Sequence, residues 1–212
     1  MVWSVGINFR ATSGYVTDGT GETYYTGGSY PITRGGATFG ATGGTPELRD
    51  RDSGVDRRIA GTMFERPSAT DLDFRIDVPS AGNYEVGILA CDAGGTGAGT
   101  NCADFEVWDG AAGTGTLLIN EGSSSTNVGN SGNCLDAAAN LTTQAAFTNQ
   151  LVSVTLSNTY ITIRLVATWY PVLAHAYIGE AAVAGGGSTF HPLASVGGTG
   201  TGETIHPLRS TR

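Results

Sequence analysis

Residues 72–88 read LDFRIDVPSAGNYEVGI, and their pattern indicates the fold class. Large apolar residues alternate with polar ones on both sides of a turn signal at residues 79–83. Such alternation places one set of side chains on each face of a β-strand, and a Pro-Gly cluster between two runs is typical of a turn. The stretch therefore predicts an antiparallel pair of strands with one buried face and one solvated face.

The same alternation recurs along the chain, whereas helical periodicity is almost absent. Further alternating runs occupy residues 3–9, 105–107, 116–120, 152–156, 161–165 and 172–183. A helical turn is expected only within residues 136–146. Glycine is abundant, with 33 residues in 212, and supplies turns between short strands. Because a sheet with one apolar face needs a second sheet to cover it, the pattern predicts an all-β protein built as an antiparallel β-sandwich.

Composition and charge exclude several classes of protein. Charged residues make up 14% of the chain and hydrophobic residues 40%, so the chain is not disordered through charge. Its 11 basic residues are all arginine and face 19 acidic ones, and the net charge of −8 argues against a non-specific nucleic-acid binder. No apolar run is long enough to span a membrane. Residues 1–30 hold no basic stretch followed by an apolar one, so we expect no signal peptide and synthesis in the cytoplasm.

The sequence also argues against an enzyme. It lacks a Gly-x-Ser-x-Gly motif, and without lysine it can form neither a Walker loop nor a Schiff base. The three histidines, His175, His191 and His206, have no metal-ligand spacing. We expect His175 to be a packed or rim residue of a strand. We expect no catalytic residue and no cofactor, with calcium as the one exception considered below.

The cysteines leave two interpretations open. Three of them, Cys91, Cys102 and Cys134, leave at least one thiol unpaired in any redox state. Small buried apolar residues are the favoured interpretation. A Cys91–Cys102 bridge across a hairpin loop is the alternative.

A charged segment at residues 49–58 also has two interpretations. Its carboxylates belong to Asp50, Asp52 and Asp56, and oxygen ligands at alternate positions are suited to Ca²⁺. The segment lacks the glutamate that closes an EF-hand loop, and its own arginines compete for the same carboxylates. We therefore favour an internal Arg–Asp network that pins a long loop, with a calcium site as the alternative.

Exposed aromatic residues are candidates for stacking on the C–H face of a sugar ring. The candidates are Tyr24, Tyr25, Trp169 and Tyr170. Adjacent residues of a strand point in opposite directions, so one member of each pair is expected to face water. Trp3 and Trp108 lie in predicted strands and are expected in the core. For all of these aromatics, packing in the core or at an interface is the favoured alternative to sugar binding.

The composition changes after Val183, which divides the chain into a sandwich at residues 1–184 and a Gly-rich arm at residues 185–212. The arm contains a repeat, because TFHPLAS at residues 189–195 returns as TIHPLRS at residues 204–210. Each copy is an extended hook around a stiff proline and has nothing of its own to pack on. The expected assembly contacts are Phe190, His191, Pro192, Leu193, Ile205, His206, Pro207 and Leu208. A flexible tail with accidental similarity is the alternative.

Five stretches of the chain resemble the galactose-binding-like β-sandwich modules, which include malectin-like domains and non-catalytic domains of polysaccharide-degrading enzymes. They are Ile7–Val16, Tyr30–Gly40, Arg49–Gly61, Phe74–Tyr84 and Leu173–Ile178. The resemblance extends over residues 5–183, and it implies a jelly-roll, galactose-binding-domain-like sandwich that binds carbohydrate. It departs from the family at Cys91, where relatives usually carry glycine, and at an insertion over residues 94–101.

Modules similar to these also occur, without an attached enzyme, among the structural proteins of tailed bacteriophages. The expected lack of a signal peptide and the adhesive character of the arm favour that setting. The leading hypothesis is therefore a non-enzymatic virion structural protein, a decoration or adhesion subunit of a capsid or tail that docks through its arm. Its expected partners are other copies of itself, a major capsid or tail protein and a glycan, with neither nucleic acid nor membrane among them. The alternative is a free-standing carbohydrate-binding module that recognises a surface polysaccharide.

Overall fold

The protein is built from β-strands. The computed structural model describes residues 3–11, 22–50, 61–65, 70–89, 105–120, 151–166 and 172–181. The strands in these ranges are β1 (Ser4–Phe9), β2 (Glu22–Tyr25), β3 (Ile32–Arg34), β4 (Ala37–Ala41), β5 (Pro46–Asp50), β6 (Gly61–Glu65), β7 (Leu72–Asp77), β8 (Gly82–Leu89), β9 (Phe105–Asp109), β10 (Thr116–Asn120), β11 (Val152–Leu156), β12 (Tyr160–Leu165), β13 (Val172–Leu173) and β14 (His175–Glu180). Within these ranges there is no helix of the length and apolar character needed to cross a membrane.

Six strands form one sheet in the order β10–β9–β12–β7–β4–β3, and all neighbours in it are antiparallel. At its centre, Ile161 lies opposite Ile76 and Ile163 lies opposite Phe74. In β7 the buried apolar residues alternate with half-buried polar ones. One face of this sheet therefore points into the core, and the other points away from it.

Five strands form a second sheet in the order β11–β8–β14–β1–β2. Its neighbours are antiparallel except for β1 and β2, which are parallel. Ile178 lies opposite both Val5 and Val86, and all three side chains are buried. A third sheet, in the order β13–β6–β5, adds Met63 and Phe64 to the same core.

The core lies between the five-stranded and six-stranded sheets. The ring of Phe74 in the six-stranded sheet contacts the rings of Phe9 and Tyr25 in the five-stranded sheet, at centroid distances of 4.9 and 5.0 Å. Edge-to-face contacts of this kind are favourable packing for aromatic rings. The all-β, antiparallel sandwich that the sequence predicts is confirmed.

The structure corrects the strand pairing predicted for residues 72–88. β7 belongs to the six-stranded sheet and β8 to the five-stranded sheet, so the connection between them crosses the sandwich. The same is true of β11 and β12. Alternation identifies the buried face of a strand. It does not distinguish two strands that pair in one sheet from two strands that lie in opposite sheets, because the apolar face is buried in both cases. The predicted hairpin is therefore wrong, although its buried residues are right.

The long strand predicted at residues 172–183 is also divided. β13 pairs with β6, whereas β14 pairs with β1 and β8. The break falls at Ala174, whose carbonyl oxygen accepts a hydrogen bond of 3.3 Å from the N–H of Phe9. The helical turn expected within residues 136–146, the three cysteines and the arm at residues 185–212 lie outside the described residues.

Candidate functional site

The six-stranded sheet presents aromatic and charged side chains on the side that faces away from the core. In β7, β9 and β12 the inward-pointing residues alternate with outward-pointing ones. Residues directly opposite each other on neighbouring strands share a face, so the register identifies the rest of the surface. We call this surface the outer face, and it comprises Tyr30, Asp71, Asp73, Arg75, Asp77, Glu106, Trp108, Leu117, Tyr160, Thr162 and Arg164.

Trp108 lies on the outer face rather than in the core where the sequence places it. Phe105 and Val107 take the inward positions of β9, so Trp108 points outward and is half-buried. Its indole Nε1–H donates a hydrogen bond of 2.8 Å to Glu106 Oε2. Opposite it on β10 lies Leu117, which is 41% exposed. An aromatic ring with a fixed orientation and an adjacent apolar side chain therefore meets solvent at this edge.

A second aromatic group surrounds Arg75 near the middle of the sheet. The guanidinium carbon of Arg75 lies 4.3 Å from the ring centroid of Tyr30 and 3.8 Å from that of Tyr160. Asp77 binds Arg75 and Tyr30, since it accepts a hydrogen bond of 2.7 Å from Arg75 Nε and one of 2.8 Å from the Tyr30 hydroxyl. These contacts hold two tyrosine rings and a guanidinium in one rigid group.

Tyr30 reaches this group because its backbone passes directly over Gly40. A Cβ atom at Gly40 would lie 2.8 Å from both the nitrogen and the Cα atom of Tyr30. Gly40 is paired with Arg75 in the sheet, which places the crossing segment on the outer face. The N–H of Tyr30 donates a hydrogen bond of 2.8 Å to the carbonyl oxygen of Ala41. The absent side chain at Gly40 is thus what brings Tyr30 against Arg75.

The third group on the outer face is an arginine held by two carboxylates. Arg164 donates to Asp73 through both Nε and Nη2, at 2.7 and 2.9 Å, and its Nε lies 3.6 Å from Asp71. The hydrogen bond that Arg164 donates to Asp73 is the main cause that raises the pKa of Arg164. The hydrogen bond to Asp77 likewise raises the pKa of Tyr30, which therefore stays protonated as a donor.

The outer face combines aromatic rings, carboxylate acceptors and paired arginines. The ring of Trp108 can stack on the C–H face of a sugar, and the carboxylates accept hydrogen bonds from hydroxyl groups. Arg75 covers one face of the Tyr30 ring and one face of the Tyr160 ring, which leaves the other face of each. Four carboxylates and two guanidinium groups leave an excess of negative charge. Within the described ranges, no group of three or more His, Cys, Asp or Glu residues is arranged to hold a metal ion.

The aromatic candidates from the sequence lie elsewhere. Tyr25 is 0% exposed, and its hydroxyl donates to the carbonyl oxygen of Gly28 at 2.5 Å, so it offers no ring face to a sugar. Tyr24 is half-buried on the outward side of β2, at the edge of the five-stranded sheet. The guanidinium carbon of Arg34 lies 4.1 Å from its ring centroid and covers one ring face. Trp169 and Tyr170 lie outside the described residues.

Sequence reasoning missed Tyr30, Tyr160 and Trp108 as members of one surface. The signal available for Trp108 was the alternation of β9, which places it on the opposite face from Phe105 and Val107. For Tyr30 and Tyr160 no local signal existed, because they are far apart in sequence and meet only through Arg75.

Asp50 pairs with an arginine, as the sequence analysis favoured, but this arginine is Arg10, which lies outside the segment at residues 49–58. It accepts a hydrogen bond of 3.3 Å from Arg10 Nε and one of 3.1 Å from the N–H of Ala11. Arg10 is 1% exposed, so this carboxylate balances a buried charge. Asp52 and Asp56 lie outside the described residues, and a calcium site there stays a prediction.

The histidine expected to be packed is packed. His175 is 0% exposed, and its Nδ1 atom lies 2.7 Å from the side-chain oxygen of Asn8. His191, His206 and the other residues expected to form assembly contacts lie outside the described residues.

No protein-family model matches the chain. No curated protein is similar enough in sequence to match it. Among solved structures, the chain is similar to the family 32 carbohydrate-binding module of NanJ from C. perfringens in complex with galactose. The identity is 9% and the TM-score 0.29, and the match covers 63% of this chain and 92% of that chain.

Proposed function

We propose that this protein is a non-enzymatic, glycan-binding β-sandwich module. The observation that carries the proposal is the position of Trp108, a half-buried indole on the outer face. Its ring is oriented by Glu106 and lies beside the exposed Leu117. A tryptophan that a carboxylate holds at the surface of a sheet offers a sugar ring a flat apolar contact, with a hydrogen-bond acceptor beside it.

The surroundings of Trp108 support the same proposal. Sugars present both C–H faces and hydroxyl groups, and a site for them needs a few aromatic rings with polar groups placed between the rings. Tyr30 and Tyr160 flank Arg75 and Asp77 further along the same face. The rings and the polar groups belong to paired strands or are bonded to them, which reduces the conformational entropy lost on binding.

Affinity electrophoresis of the full chain in gels that contain soluble polysaccharides tests the proposal. Migration is expected to slow in at least one polysaccharide gel and to be unchanged in a gel without polysaccharide. Unchanged migration in a broad panel of neutral and acidic polysaccharides, together with a blank glycan array, would contradict glycan binding. If the protein released reducing ends from a polysaccharide that slows its migration, the non-enzymatic assignment would be wrong.

The place of the protein in a virion is a separate proposal. It depends on residues 185–212, which lie outside the described residues. A glycan-binding module and a subunit on the surface of a virion are compatible, because such a subunit can recognise a sugar on the host. Co-purification with phage particles is the measurement that decides it.

A further inference from the structure

We infer that the outer face binds a neutral polysaccharide chain that lies across the strands, in preference to a single terminal sugar or an acidic chain. This inference rests on the proposed function and specifies its site and its ligand class. It depends on three properties of the outer face: its length, its rigidity and its charge.

The length follows from the strand register. Leu117, Trp108, Thr162, Arg75 and Gly40 lie in direct register on five successive strands, from β10 to β4. Neighbouring strands lie about 4.8 Å apart, so the row extends over about 14 Å from Leu117 to Arg75, beyond which the backbone of Tyr30 covers Gly40. One pyranose ring covers only part of such a row. The rings of Trp108 and Tyr30 lie toward its two ends, which suits a chain of several sugar units.

The rigidity follows from the hydrogen bonds of the row. Glu106 fixes the indole of Trp108, and Asp77 fixes the hydroxyl of Tyr30. Thr162 lies between them and donates its hydroxyl to the carbonyl oxygen of Gly110 at 2.7 Å. The Thr162 hydroxyl is thus bonded within the protein. The side chains of the row are therefore held in place before a ligand binds.

The charge selects against acidic sugars. Both arginines of the outer face already bind carboxylates, since Arg75 is paired with Asp77 and Arg164 with Asp73 and Asp71. A uronate or sulfate group would meet the excess negative charge that the four carboxylates create. Like-charge contacts are a strong source of discrimination against the wrong ligand. Hydroxyl groups of a neutral sugar carry no charge and can donate to these carboxylates without this repulsion.

Two pairs of probes test the preference for ligand length and for ligand charge, by isothermal titration calorimetry with the full-length protein. Galactose is compared with galactan fragments of increasing length, and agarose oligosaccharides are compared with sulfated carrageenan oligosaccharides. Affinity is expected to rise with the number of sugar units and to be higher for the neutral member of the second pair. Equal affinity for galactose and for the longer fragments would overturn the chain-binding inference, and tighter binding of carrageenan would overturn the neutral preference.

Substitutions locate the site. Trp108→Ala is expected to lower the affinity on the order of tenfold or more, as expected when an aromatic anchor is removed. Leu117→Glu adds a carboxylate at an exposed position and is expected to weaken binding without affecting the fold. Tyr24→Ala, on the other sheet, is the control and is expected to leave affinity unchanged. Binding that is lost in Tyr24→Ala but kept in the other two variants would overturn the site while leaving glycan binding intact. No binding to any glycan would instead overturn the proposed function itself.

Discussion

The main-chain N–H of Val78 donates a hydrogen bond of 2.9 Å to the carbonyl oxygen of Thr159. Val78 follows β7 and Thr159 precedes β12, so the bond joins two connections that each cross from one sheet to the other. β7 pairs with β12 and β8 pairs with β11, which stacks the two crossings. Asp109 holds the second crossing by accepting hydrogen bonds from the N–H groups of Ser157 and Asn158, at 2.8 and 3.0 Å. The two sheets are therefore joined at this end through the backbone as well as through the core.

The first prediction concerns the centre of the core. Phe74 contacts aromatic rings from both sheets, so Phe74→Ala is expected to lower the free energy of unfolding by about 3–5 kcal/mol through lost burial and a residual cavity. Glu47→Ala, at an exposed position of β5, serves as the control with an expected change under about 0.5 kcal/mol. Denaturant unfolding measures both. A loss at Phe74 no larger than the loss at Glu47 would contradict the central place of Phe74 in the core.

The second prediction concerns the crossing of Tyr30 over Gly40. Gly40→Ala places a methyl group against the backbone of Tyr30 and is expected to destabilise the protein by about 1–3 kcal/mol. Gly36→Ala is the matched control, since Gly36 also has a positive φ but a Cβ there would meet open space. It therefore separates backbone strain from crowding. Thermal unfolding of both variants is the measurement, and a Gly36 variant as unstable as the Gly40 variant would contradict the crowding.

The third prediction is a dependence of stability on alkaline pH. Burial raises the pKa of Tyr25 from 10.0 to about 12, so the folded protein resists an ionisation that the unfolded chain undergoes freely. The corresponding stability is complete below pH 10 and is lost as the pH rises to about 12. A shift of this size corresponds to about 2–3 kcal/mol.

Tyr25→Phe isolates this effect. The variant loses the hydrogen bond to Gly28, which is expected to cost about 1 kcal/mol at neutral pH. Its stability should then fall less steeply than that of the native protein between pH 10 and 12. Denaturant midpoints at a series of pH values measure the two slopes, and equal slopes would mean that Tyr25 ionises as freely in the folded protein as in the unfolded chain. Tyr30 and Tyr177, whose pKa values are also raised, account for the part that remains.

The fourth prediction concerns calcium. Because Asp50 already balances the buried Arg10, we expect EDTA to leave the melting temperature unchanged. Bound calcium would instead stabilise the fold by about 2.7 kcal/mol at a hundredfold excess over its dissociation constant. Asp50→Asn is expected to destabilise the protein by about 1–3 kcal/mol with or without EDTA. A rise of several degrees on addition of calcium to the native protein would favour the metal site.

The fifth prediction concerns the arm. Within the described ranges the buried core residues lie between Val5 and Ile178, and we expect deletion of residues 185–212 to leave the melting temperature within a few degrees of the native value. The truncated protein is expected to lose docking to particles, if the repeat at residues 189–195 and 204–210 is the anchor. Sedimentation with purified phage particles measures this. If the truncated protein sedimented with particles to the same extent as the full-length protein, the arm would not be the anchor.

Local alternation was a sound guide to burial and a poor one to pairing. It identified Phe74, Ile76, Tyr84 and Val86 as buried, and they are. It also suggested that the two strands pair, because a short turn links them. The two strands in fact lie in opposite sheets, and their buried residues belong to one core between the sheets. Burial depends on which face of a strand is apolar, whereas pairing depends on contacts with strands far away in sequence.

The candidate site shows the same division. The pair Tyr24-Tyr25 was expected to have one member toward water, and Tyr24 is the half-buried one. The register of β9 was needed to place Trp108, and the close approach over Gly40 was needed to place Tyr30.

Sequence alone predicts the fold class, the buried residues of strands such as β7 and β8, and the acidic character of the chain. These properties are local or additive, since each residue contributes through its own polarity and its place in an alternation of period two. Tertiary structure alone decided that Arg75, Tyr30, Tyr160 and Trp108 share one surface. Their strands are brought together by hydrogen bonds between β4, β7, β12 and β9, which are distant in sequence. Strand pairing of this kind depends on how whole sheets bury their apolar faces. Each such face is made of residues from several strands, so no single stretch of sequence describes it.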